Sequence, residues 1–159
     1  MNERKQSLVI LEAFAVSGVF AFLYMIAGSG EFFDGAKWIR RFLAPSLFCL
    51  WAFWRSGWNW HYLAQAPLMM ISLCLPYGAD DTFWKVILRG FFGLANGGSS
   101  GLTLILQKRL GLAIAHICMV TASSIYLGAF NPLPNAMVEM FLIGLIIILI
   151  PSMTLIFKK

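Results

Sequence analysis

The chain has 159 residues, 60% of them apolar and 12% charged, with a mean hydropathy of +0.78. Soluble domains carry about 25% charged residues, so this composition excludes an ordinary water-soluble domain. No polar stretch is long enough to form a separate catalytic domain. The net charge of +5 does not point to nucleic acid, because the basic residues stand at the ends of apolar segments. Topology signals and headgroup contacts put them there.

The apolar segments approach the roughly 20 residues that cross a bilayer, and predict an all-α, polytopic transmembrane helical bundle of about six spans. They form a single integral membrane domain, residues 1–159. The first span covers about residues 7–27 and ends at the Gly28-Ser29-Gly30 breaker. Arg4 and Lys5 before an apolar run resemble a signal peptide. The run from Ser7 to Ala27 is long for one and contains Glu12, so it reads as a retained span. A connection with Glu31, Asp34 and Lys37 is expected to lie in the interface. The second span, about 39–54, holds Pro45 and is short, so Arg40 and Arg41 must snorkel or the crossing is incomplete.

The third span, about 58–77, is closed by Pro76 and the Gly78-Ala79-Asp80-Asp81 turn. The fourth, about 82–107, has Asp81 or Thr82 as its N-cap. The fifth is about 110–130. A turn, Asn131-Pro132-Leu133-Pro134-Asn135, leads into the sixth, about 135–157, with Asn135 placed to cap it.

Basic residues in alternate connections give the orientation. Arg4, Lys5, Arg55, Lys108, Arg109, Lys158 and Lys159 fall on one side, and Lys37, Arg40, Arg41, Lys85 and Arg89 on the other. The excess favours N-in and C-in, in a bacterial-type inner (cytoplasmic) membrane. Trp54, Trp58, Trp60 and Tyr62 would mark the inner border, and Trp38, Tyr77 and Trp84 the outer. Cys49, Cys74 and Cys118 lie inside apolar segments without a CxxC pair, and read as small buried hydrophobes.

The fourth span carries the sharpest pattern. Lys85, Arg89, Asn96, Ser99, Ser100, Thr103 and Gln107 fall on one side of a helix, at steps of three, four and seven. Buried polar groups cost free energy unless paired, so this seam needs partners or water. It reads either as a hydrogen-bonded interior or as the wall of an aqueous path. Gly90, Gly93, Gly97 and Gly101 form a second stripe, which lets a neighbouring backbone approach closely. Alternatively, the run from Asn96 to Gly101 unwinds the helix in mid-membrane, as broken helices do in transporters.

His61, Gln65 and Ser72 offer a matching face on span three, and His116 and Ser123 share a face on span five. His116 is either a satisfied interior imidazole or a titratable relay. Glu139, in the first turn of span six, complements the helix dipole and matches Arg89 in depth, so the two are expected to pair. Glu12 has His116 or Lys5 as its expected partner, and is a candidate for a proton- or cation-linked role.

The histidines lack ligand spacing, so no metal site is expected, and no cofactor. No HExxH, GxSxG or comparable catalytic signature occurs, so no catalytic residue is assigned. These observations point to a small channel or transporter unit, or a membrane subunit of one, with a polar path lined by span four. It would be a homo-oligomer or associate with a membrane partner. The alternatives are a non-catalytic subunit docking a partner through the glycine seam, and an intramembrane enzyme acting on lipids at Asp80, Asp81 and Arg89.

Overall fold

In the computed structural model every described element is helical. Described are residues 3–28 and 35–157, with side chains at 6–26, 38–39 and 41–157. The helices are α1 (Glu3–Gly28), α2 (Gly35–Arg55), α3 (His61–Ala64), α4 (Ala66–Leu73), α5 (Thr82–Leu106), α6 (Leu110–Ile125) and α7 (Ala136–Ile156). A π-turn, Tyr126–Phe130, continues α6. The expected interfacial connection at Glu31 and Asp34 lies outside the described residues.

Among the described residues, three stretches are long and apolar enough to cross a membrane: Gln6–Ile26, Leu110–Phe130 and Ala136–Ile156. The outward faces of these stretches and of α5 are apolar. Leu8, Leu11, Phe14 and Phe22 on α1, and Phe91 and Leu94 on α5, are all more than half exposed. Such surface is costly in water and ordinary against lipid. The interior, by contrast, holds Arg41, Gln65, Arg89, Asn96, His116 and Glu139.

The helices pack as two antiparallel pairs. Ser17 on α1 meets Ser152 on α7 across 3.4 Å. Gly144 lies so close to α1 that a Cβ there would be 3.0 Å from the Ala21 Cα. On the other side α5 runs antiparallel to α6, and α4 leans on α5. Phe20, Tyr24, Phe48, Phe92, Ile143 and Ile147 join the two halves in one apolar core.

Local sequence explains the ends. Asp81 caps α5 by accepting from the amides of Phe83 and Trp84, and Asn135 caps α7 by accepting from Met137 at 2.9 Å. Both caps satisfy amides that a helix start leaves open. α5 ends in a Schellman motif: the Arg109 amide bonds the Leu104 carbonyl and the Lys108 amide that of Ile105. Lys108 thereby takes φ +60°, a position that favours glycine.

Two expectations about the spans are corrected. The segment 58–77 is not one helix: α3 and α4 are separated at Gln65, and residues 74–81 are non-helical. Pro67, in the first turn of α4, has no amide to offer the preceding turn, so the ladder cannot run through. Arg41 does not snorkel to the surface. It is 6% exposed, with its guanidinium 5.4 Å from the Trp38 ring.

Candidate functional site

The polar seam of α5 is buried and knitted to α3 and α4. Arg89, Asn96, Ser99, Ser100 and Thr103 are all buried, whereas Lys85 and Gln107 at its ends are half-buried. Gln65, at the break between α3 and α4, donates from Nε2 to the Ser99 carbonyl at 2.6 Å. Its Oε1 accepts from the Thr103 hydroxyl at 3.0 Å. One turn along, the Ser72 hydroxyl lies 3.0 Å from Ser99 Oγ and 3.2 Å from Asn96 Oδ1. Asn96 returns the contact by donating from Nδ2 to the carbonyls of Ser72 and Phe92.

On the far side of α5, Ser100 Oγ lies 2.8 Å from His116 Nε2 and donates to the Asn96 carbonyl, also at 2.8 Å. Which of Ser100 and His116 donates in this contact is set by the tautomer of the imidazole. Nδ1 has no hydrogen-bond partner, and neither does the buried Ser124 hydroxyl. On α6 the interior face runs through His116, Val120 and Ser124, with Ser123 only half-buried.

The seam therefore forms a ladder of uncharged polar groups. At one end it stops at Phe92, which is fully buried and packs on Tyr77 at 5.1 Å. Beyond that ring, Arg89 Nη2 approaches Glu139 Oε1 to 2.6 Å, the pairing that matched depth predicts. The approach is not aligned along an N–H bond, so it is an ion pair without a well-directed hydrogen bond. Tyr77 lies under the Arg89 guanidinium at 4.8 Å. At the other end Gln107 Nε2 donates to Thr154 on α7 at 3.1 Å.

The run from Asn96 to Gly101 is helical throughout, which favours helix packing over the alternative of an unwound segment. At Gly93 and Gly97 close packing on α6 offsets the poor helix propensity of glycine. A Cβ on Gly93 would stand 2.6 Å from the Thr121 Cα, and one on Gly97 3.0 Å from the Ile117 Cα. Gly90 and Gly101 make only ordinary contacts with α6. The glycine seam is thus filled by α6 of the same chain, and a partner docking there would have to displace it.

Other expected site residues lie elsewhere. His61 is exposed and bonds Asn59 through Nδ1 at 2.7 Å, so it does not join the buried face. Glu12 does not meet His116, and the Lys5 side chain lies outside the described residues. Glu12 accepts from Trp51 Nε1 at 2.9 Å and lies 3.4 Å from Arg55, at the half-exposed end of α1. Cys118 faces outward rather than in.

Sequence reading missed the slot for Arg89. Gly128, in the π-turn, is packed against the Arg89 side chain so closely that any Cβ there would overlap it. It also missed the α1–α7 contact, although Ala21 and Gly144 as small residues in apolar spans were a usable signal. Among the described residues no group of His, Cys, Asp and Glu side chains could hold a metal ion. Neither the groove between α1 and α2 nor those along α4 and α5 are lined by Asp80, Asp81 or Arg89. No family model, curated protein or solved structure matches the chain.

Proposed function

We propose that the chain is a multi-pass protein of a bacterial-type cytoplasmic membrane, crossing it about six times with both termini inside. In this reading it is a small transport unit, working as a homo-oligomer or beside a membrane partner, seen in a closed state. α5 crosses with the others: its 25 residues span about 37 Å, more than the roughly 30 Å of a hydrocarbon core.

One observation carries the reading. α5 is held to the short, broken α3–α4 segment by polar side chains, Gln65 and Ser72, across Asn96, Ser99 and Thr103. Polar contacts exchange for water at little net cost, about 1 kcal/mol each, whereas an apolar seam would not. The interface can therefore part and admit water. Its middle carries no charge, which suits a small uncharged polar solute better than an ion.

The experiment is reconstitution into sealed vesicles, with light scattering to follow glycerol and urea uptake and a pH dye to follow proton leak. Solute uptake above that of empty vesicles is the expected result. A second reading has its own support: most polar atoms of the seam already have protein partners, as in a dry bundle interior. A protein that is stable in vesicles yet passes no solute would favour that reading.

A further inference from the structure

Along the outward side of the α4–α5 interface run two adjoining grooves. One, of about 370 Å³, is lined by Leu68, Ile71, Leu75, Ala95, Gly98 and Leu102, with Ser72 and Ser99 at its floor. The other, of about 200 Å³, shares Leu68 and Leu102 and ends at His61 and Leu106. The floor hydroxyls are already bonded to each other, so the groove needs no water to satisfy them. Gly98 opens it: a Cβ there would meet nothing within 4 Å.

Its length and its mouth name the occupant. From Ala95 to Leu106 the helix rises about 16 Å, half of a hydrocarbon core of about 30 Å, so the groove is as long as one leaflet. Where it ends at His61 and Leu106, the chain turns through Lys108 and Arg109, both exposed. Trp58 and Trp60, 65% and 70% exposed, precede α3 at the same end, as interfacial aromatics do. Lys108 holds a left-handed backbone position at the turn that ends α5.

We propose that this groove binds one acyl chain of an anionic phospholipid, whose phosphate sits against Lys108 and Arg109. The proposal rests on α5 crossing the membrane, but not on transport. The headgroup contact is electrostatic, and each basic residue near an anionic surface contributes enough for a several-fold preference.

Native mass spectrometry of the purified full chain, with added phosphatidylglycerol or phosphatidylcholine, tests it. The wild type should retain one phosphatidylglycerol, preferred about tenfold over phosphatidylcholine. Lys108→Gln with Arg109→Gln should abolish the preference while a lipid still binds. Gly98→Leu fills open space and leaves folding intact, which its melting temperature verifies; it should lose the bound lipid. Equal binding of the two lipids by the wild type, or undiminished binding by Gly98→Leu, overturns the proposal. So does a Gly98→Leu variant that changes oligomeric state alone, since the occupant would then be a second copy.

Discussion

Arg89 of α5 and Glu139 of α7 meet with Nη2 2.6 Å from Oε1, their side chains only 8% and 7% exposed. Breaking such a pair leaves one buried charge uncompensated, at a cost of about 3–5 kcal/mol. Arg89→Glu and Glu139→Arg should each lower the melting temperature sharply, and the combined swap should recover part of the loss. Independent, additive losses in that cycle would show that the two side chains do not stabilise each other.

Gly128→Ala tests the same corner from the other side. The added methyl overlaps the Arg89 side chain, so we expect a loss of about 1–3 kcal/mol from overpacking. The variant should lose less in an Arg89→Ala background, where the slot is empty. An unchanged melting temperature in the wild-type background would place Arg89 elsewhere.

Glycines on α5 should separate by the face they occupy. Gly93→Ala and Gly97→Ala force α5 from α6, because their new methyls fall 2.6 Å and 3.0 Å from backbone atoms. Gly98→Ala meets open space and should stabilise by up to about 1 kcal/mol through helix propensity alone. Thermal unfolding in detergent measures all three, and a uniform response across them would refute the α5–α6 contact.

Topology follows from the proposed orientation. Reporter fusions after Gly78 and after Asn131 should read the outside, and one at Lys159 the inside. An outside reading at Lys159 would remove either the span count or the N-in assignment.

Where one helix face alone decided a feature, the sequence showed it. The spacing from Arg89 to Thr103 marks a buried stripe because a helix cannot scatter those positions, and the caps at Asp81 and Asn135 follow from local hydrogen bonding. The Arg89–Glu139 pair was legible because depth in a bilayer limits partners. Glu12 was not, since its partners Trp51 and Arg55 depend on how α2 turns against α1. The glycines and polar side chains of α5 keep it outside the set of sufficiently apolar helices, so its proposed crossing rests on length and packing instead. The break at Gln65 had a signal in Pro67, but proline is tolerated in membrane helices often enough that the residue does not decide it. No local pattern announces the π-turn at Tyr126–Phe130.

The most direct test of a path along the α4–α5 interface removes a matched pair of its polar groups without stranding either one. Thr103 Oγ1 donates to Gln65 Oε1, so Gln65→Met with Thr103→Val replaces both partners by apolar groups; it also gives up the Gln65 Nε2 bond to the Ser99 carbonyl, a loss of about 1 kcal/mol. The double variant should melt close to the wild type, with glycerol and urea uptake in vesicles reduced to the level of empty ones. Uptake equal to wild type in a properly folded double variant would rule out a path along this interface.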